Sequence, residues 1–123
     1  PSSYDVIITE NLFGDILTDE ASVISGSMGL MPSSSIGLHT SLFEPIHGSY
    51  PQAAGKDIAN PLATVLSAAM MFEDGFGLKE EAELIRSVVN KSLAEGVVTE
   101  DIAGKEKKAY KTSEVGDWLA ANI

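Results

Sequence analysis

The chain has no cysteine among its 123 residues. That excludes a disulfide framework, a thiolate metal site and a cysteine nucleophile. No apolar run approaches the ~20 residues a membrane helix needs, so no membrane span is expected. Basic residues are few, 8 Lys and Arg against 18 Asp and Glu, and the formal net charge is −10. With no basic run, this balance argues against nucleic acid and anionic membrane surfaces as partners. It fits a cytoplasmic protein that handles divalent cations. Two nucleotide motifs are also missing. Six residues, not four, separate Gly48 from Gly55-Lys56, and Asp57 stands where Ser or Thr should follow, so there is no P-loop. No Gly-x-Gly-x-x-Gly follows a strand, so there is no Rossmann fingerprint. The chain opens at Pro1 and enters an apolar run almost at once, as expected of a piece of a longer protein.

What the chain does have is concentrated in two stretches. The first is Asn11-Leu12-Phe13-Gly14-Asp15-Ile16-Leu17-Thr18-Asp19, continuing to Gly29-Leu30. It follows Val6-Ile7-Ile8, whose unbroken apolar character predicts a strand over Tyr4–Thr9 buried on both faces, as in a parallel sheet. A helix is expected from about Phe13 to Ser25. Asp15 and Asp19, at i and i+4, then share one helix face. At roughly 100° per residue, Leu17, Ala21, Ile24 and Met28 fall on the opposite face. Like charges one turn apart destabilise a helix by roughly 0.2–0.5 kcal/mol, so something must favour them. A hard divalent cation would do so, with Mg2+ or Mn2+ suited to two carboxylates and open positions. Solvation, helped by the positive end of the helix dipole, would also do so.

The second stretch is the loop His47-Gly48-Ser49-Tyr50-Pro51-Gln52-Ala53-Ala54-Gly55-Lys56-Asp57-Ile58-Ala59-Asn60. Loops of this length inside a compact domain are usually functional or mobile. It ends in a strong helix start, with Asn60 as N-cap and Pro61 in the first helical position. The helix from Pro61 to about Phe72 is apolar nearly all round and is expected to be central. A third helix is expected from Lys79 to about Ala94, with Ala82, Ile85, Val89 and Leu93 inward and Gly96 as the stop. A last helix from about Ser113 carries Val115, Trp118, Leu119 and Ile123 on one face. Between these elements, Ser33–Gly37 reads as loop and Leu42–Pro45 as a short strand. Val97–Thr99 reads as an edge strand, and Ala103 through Lys108 as an exposed basic loop.

The first stretch, with Gly26-Ser27-Met28-Gly29 after it, resembles the signature segment of the metal-dependent β-decarboxylating dehydrogenases. These are the isopropylmalate and isocitrate dehydrogenases and their relatives. The form with Leu-Phe before Gly14 and Leu-Met-Pro-Ser after Gly29 is most similar to the isopropylmalate branch, which serves leucine biosynthesis. The resemblance runs the length of the chain and corresponds to the family's C-terminal third. It implies an α/β class, not a Rossmann fold, with few strands and four main helices. It divides the chain into residues 1–28, a strand and metal-binding helix of the family's second domain, and residues 29–123, part of the cofactor-binding first domain. It implies that Asp15 and Asp19 hold Mg2+ or Mn2+, and that their helix packs at a homodimer interface.

The second stretch matches the family's adenosine-binding loop at His47, Gly48, Ser49, Pro51, Ala54, Gly55, Lys56, Ile58, Ala59, Asn60 and Pro61. The resemblance thus implies cofactor contacts from His47, Gly48, Ser49, Tyr50, Pro51, Gln52, Ala53 and Asn60, with NAD as the cofactor. Tyr50 stands where Ala is usual, and Gln52-Ala53 where Asp-Ile is usual. In NAD-using members that Asp pairs with the ribose 2′-hydroxyl and repels a 2′-phosphate. Gln52 cannot repel by charge, so rejection of NADP is expected to be weaker than is usual in the family. Asp101 falls near another family stretch close to the cofactor, and reads equally well as a turn acid.

The implied reaction is oxidation of a 2-hydroxy acid, with 3-isopropylmalate the favoured substrate, followed by β-decarboxylation. The family's Tyr and Lys acid/base residues, its third metal aspartate and its substrate arginines lie upstream, so this chain alone is expected to be inactive. Isocitrate, homoisocitrate or tartrate dehydrogenase is the alternative within the family. A non-catalytic adenine-nucleotide-binding module is the alternative outside it.

Overall fold

The computed structural model describes residues 3–105 and 108–123. Among them, five α-helices and one two-stranded sheet follow in the order α1 (Asn11–Ser25), β1 (Pro32–Ser35), β2 (Leu42–Pro45), α2 (Leu62–Met70), α3 (Lys79–Glu95), α4 (Glu100–Ala103) and α5 (Thr112–Asn122). Four are long and α4 is a single turn, so the expected four main helices are present. Short 3-10 turns lie at Met28–Leu30 and Pro51–Ala53, and α2 widens into a π turn over Met71–Gly75.

The core is where the apolar periodicity places it. Leu62 of α2, Val88 and Val89 of α3, and Val115 and Leu119 of α5 form one buried cluster. Leu30, Val65, Leu66, Leu93, Ile102, Tyr110 and Trp118 pack around it. Helix α2 is central because it meets α3 on one side and the β1–β2 hairpin on the other. Its start follows from the Asn60 side chain, whose Oδ1 accepts the Leu62 backbone N–H at 3.0 Å. Helix α3 ends at Gly96, which takes the left-handed conformation (φ 73°) that glycine adopts without a Cβ penalty.

Several expectations are overturned. Tyr4–Thr9 forms no strand, and its apolar residues are exposed, Ile8 at 94%. A strand exists only by pairing, and among the described residues nothing pairs with this segment. The apolar back of α1 is likewise uncovered, with Leu17 51% and Ile24 77% exposed. Ser33–Ser35, read as loop, is part of β1. Its register with β2 is antiparallel, Pro32 opposite Pro45 and Ser35 opposite Leu42, so hairpin pairing overrides the weak strand preference of serine. Val97–Thr99 is not a strand. It is a buried connection instead, with the Val98 carbonyl accepting the Tyr110 N–H at 2.9 Å. Ile123, assigned to the inner face of α5, is exposed. Lys105 and Lys108 are exposed as expected, but Ala103, read as part of the same exposed loop, is buried at the end of α4, and residues 106 and 107 lie outside the described residues. No helix among the described residues is long and apolar enough to cross a membrane.

Candidate functional site: two adjoining cavities

Two cavities open beside the hairpin, and they share His47 and Gly48. The first, about 660 Å³, is lined by the loop residues His47, Gly48, Ser49, Tyr50 and Asn60. Opposite them lie Ser27, Met28, Gly29 and Asp101. The second, about 850 Å³, is lined by Asp15 and Asp19 of α1 together with Ser33 and Glu44 of the hairpin. The structure therefore brings five of the eight expected cofactor-loop residues to one cavity and both aspartates to its neighbour. Pro51, Gln52 and Ala53 line neither cavity. They form a 3-10 turn that buries Ala53.

The first cavity is held by a network that spacing alone did not reveal. The Asp101 carboxylate accepts from the Ser27 hydroxyl, from Asn60 Nδ2 at 3.0 Å and from the Thr99 hydroxyl at 2.5 Å. Burial disfavours its charged form, but the donors of Ser27, Thr99 and Asn60 outweigh that and hold the carboxyl below its ordinary range. The Ser27 hydroxyl also accepts the Gly29 N–H at 3.0 Å. Gly29 packs so closely on Asn60 that a Cβ there would lie 2.7 Å from Asn60 Cβ. Ser27, Gly29 and Asp101 were thus missed as one constellation. The available signals were local ones, the Gly-Ser-Met-Gly turn and the Thr99-Glu100-Asp101 helix start. Neither local signal shows that residues 27 and 101 meet.

His47 supplies an orphaned group. Its Nδ1 lies 2.9 Å from the Gly48 carbonyl, which can only accept, so Nδ1 carries the proton. Nε2 is buried with no partner among the described residues. In the neutral ring it is an acceptor awaiting a donor. An unpaired buried acceptor costs about 1–3 kcal/mol, and the exocyclic amine of an adenine would relieve it. The residues lining this cavity therefore fit a purine nucleotide.

The aspartates of the second cavity fit a hard cation in part. No hydrogen bond or ion pair engages either carboxylate among the described residues, which leaves four carboxylate oxygens for coordination. No group of three or more acidic or histidine side chains is arranged to hold a metal among the described residues. Asp15 and Asp19 alone would supply only a portion of an octahedral shell, and the rest would have to come from water, substrate or another part of the enzyme.

The far end of the loop is fastened to α5. Asp57, itself left-handed (φ 57°), accepts the Ser113 hydroxyl at 2.6 Å and the Ser113 N–H at 2.9 Å. Thr112 Oγ1 donates to the Ala59 carbonyl at 2.6 Å. The Ser113 hydroxyl and backbone N–H together hold the Asp57 carboxyl below its ordinary range. A depressed folded value contributes stability above the unfolded pKa of about 4, lost as pH falls through the folded value. Asp57→Asn keeps the left-handed backbone but removes the charge. It is expected to speed hydrogen exchange at the Ser113 amide at neutral pH, and to flatten the acid side of the stability curve below about pH 4. Unchanged exchange at Ser113 would show that the loop is fastened elsewhere.

Comparison with known proteins gives this geometry its setting. A family profile described as Isocitrate/isopropylmalate dehydrogenase matches residues 1–119. The chain belongs to that family. The 3-isopropylmalate dehydrogenase of Bacteroides fragilis is 57% identical over 123 residues, covering all of this chain and 35% of the relative. That of Bacillus subtilis is 54% identical over 110 residues, covering 87% and 30%. A β-decarboxylating dehydrogenase from Thermococcus kodakarensis superposes with a TM-score of 0.81 at 44% identity, over 95% of this chain and 33% of that one. Isocitrate dehydrogenase from Methylococcus capsulatus gives 0.85 at 34% identity, over 98% and 35%. The chain thus spans about a third of the length of the curated relatives it matches, and the expected α/β class of this family is the one observed.

Proposed function

We propose that this chain is the metal- and nucleotide-binding portion of an NAD-dependent 3-isopropylmalate dehydrogenase, a cytoplasmic enzyme of leucine biosynthesis. The observation that carries the proposal is the sharing of His47 and Gly48 by the two cavities. A ligand in the loop cavity and one beside Asp15 and Asp19 would meet at a common wall, as hydride transfer between two bound molecules requires. Identity to 3-isopropylmalate dehydrogenases at 47–57% supports the choice of branch.

In this reading Asp15 and Asp19 hold Mg2+ or Mn2+, and the loop from His47 to Asn60 holds NAD, with His47 Nε2 accepting from the base. When bound, the cation would supply Lewis-acid stabilisation of negative charge and the nicotinamide would supply the hydride acceptor. The chain's own part is positional. Helix α1 presents two hard oxygen ligands on one face, Asp101 fixes the Asn60 amide, and the Asp57–Ser113 bonds fix the end of the loop. Among the described residues the buried hydrophobic ones all fall between Ala53 and Leu119, which supports assigning residues 29–123 to a cofactor domain and residues 1–28 to a second one. The exposed apolar stripe of α1 supports its use at a homodimer interface. General acid/base residues are supplied by the rest of the enzyme, and this chain alone is inactive.

The test is NAD+ reduction by the enzyme that carries this chain, with Mg2+, on 3-isopropylmalate and on isocitrate. Turnover on isopropylmalate alone is expected. Turnover on isocitrate alone would move the enzyme to another branch, and the likeness to the Methylococcus enzyme makes that the outcome to exclude. Tenfold preference for NADP would overturn the cofactor assignment, and turnover on neither substrate would overturn the reading.

A further inference from the structure

Among the described residues, two non-glycine residues have left-handed backbones, Asp57 and Tyr50. A short polar side chain such as that of Asp57 tolerates this region. A bulky aromatic does not, and Tyr50 (φ 44°, ψ 59°) is strained. Strain of this kind persists only where its surroundings impose it, and it gathers at ligand sites. Here the Tyr50 carbonyl is held by the Ala53 N–H at 3.0 Å, at the head of the turn that buries Ala53. The backbone is fixed, yet the side chain is not used. Tyr50 is 56% exposed and lines the first cavity. Among the described residues its ring joins no aromatic pair or cation contact, and its hydroxyl makes no hydrogen bond. Met28 and Ile58 line the same cavity, and both are themselves partly exposed. The cavity is therefore lined by an aromatic residue, apolar companions and His47, whose buried Nε2 has no partner among the described residues.

We propose that Tyr50 is the stacking wall for the purine base in this cavity. The assignment rests on the nucleotide reading above and adds to it the group that supplies base affinity. Stacking acts on the base and is blind to the ribose 2′ position. Gln52 lines neither cavity, so base affinity rather than 2′ discrimination would dominate binding here.

The experiment measures binding of NAD+, NADP+ and nicotinamide mononucleotide to the enzyme that carries this chain, in wild-type, Tyr50→Phe and Tyr50→Asn forms. Asn tolerates the left-handed region and removes the ring without adding strain. Tyr50→Asn is expected to weaken NAD+ and NADP+ by the same factor, about tenfold, while Tyr50→Phe stays within about twofold of wild type. The mononucleotide, which has no purine, should be unaffected, and thermal stability of Tyr50→Asn should equal or exceed that of wild type. Unchanged dinucleotide affinity in Tyr50→Asn would overturn the stacking role while leaving the nucleotide reading standing. Equal loss in Tyr50→Phe, or parallel loss of the mononucleotide, would also overturn it. Failure of the wild-type enzyme to bind any of the three would overturn both.

Discussion

Asp15→Asn is expected to reduce turnover about 100-fold or more in the enzyme that carries this chain, without loss of thermal stability. A Lewis-acid cation supplies several kcal/mol of charge stabilisation, and each ~1.4 kcal/mol is tenfold in rate. An amide keeps one oxygen in place but removes the charge that holds a hard ion. The same substitution relieves the Asp15–Asp19 repulsion on α1, worth roughly 0.2–0.5 kcal/mol, so the helix should be unharmed or slightly firmer. These opposite movements separate the two readings of the acid pair. If both acids were merely solvated on the exposed face of α1, neutralising one would leave turnover and Mg2+ requirement alone. If they hold the cation, the Mg2+ concentration for half-maximal rate rises steeply while the melting temperature holds. An unchanged Mg2+ requirement would sink the metal assignment.

What the sequence made legible follows from which interactions are local. Helices α1, α2, α3 and α5 were readable within a residue or two, because the apolar period is local to each segment, and the cap of α2 and the glycine stops of α1 and α3 lie within a few residues of it. The Asn60 cap and the Gly96 terminus are examples, since their hydrogen bonds reach only a few residues along the chain. The errors lie where structure depends on distant partners. Val6-Ile7-Ile8 has strand character, but pairing decides whether a strand forms, and no described residue pairs with it. Ser33–Ser35 lacks strand character, yet Phe43 and Leu42 across the hairpin supply the partner. Val97 and Val98 are apolar because they lie in a buried connection, not because they belong to a sheet. The candidate site divides the same way. The aspartate pair and the His47–Asn60 loop are contiguous and were readable as motifs. The Ser27–Asp101 bond spans 74 residues of sequence, and no periodicity reports it.

That long-range network carries the second large expected effect, through Gly29. A methyl group at this position would lie 2.7 Å from Asn60 Cβ, 2.8 Å from Nδ2 and 2.9 Å from Cγ. Real Cβ atoms do not tolerate such contacts, and Asn60 Cβ is fixed to the backbone, so no side-chain rotation clears it. The end of the loop must move instead. Two bonds then fail together, Asn60 Nδ2 to Asp101 and the Leu62 N–H to Asn60 Oδ1. The second is a helix cap, whose loss costs about 0.5–2 kcal/mol, so some fall in melting temperature is expected from Gly29→Ala. The larger consequence is at the cavity, where Asn60 and Asp101 lie side by side. Supporting hydrogen bonds of this kind are worth about 10–100-fold at metal sites, and by the same logic KM for NAD+ is expected to rise about tenfold here. The Mg2+ requirement should hold, because Asp15 and Asp19 line the other cavity, which Gly29 and Asn60 do not reach. Asp101→Asn is the companion variant. It adds no bulk at residue 29, but its amide nitrogen becomes a donor facing either the Thr99 hydroxyl at one oxygen position or the donors of Ser27 and Asn60 at the other. It should raise KM for NAD+ in the same direction with less effect on stability. A lowered melting temperature with unaltered KM in both variants would mean that the network holds the fold and not the dinucleotide.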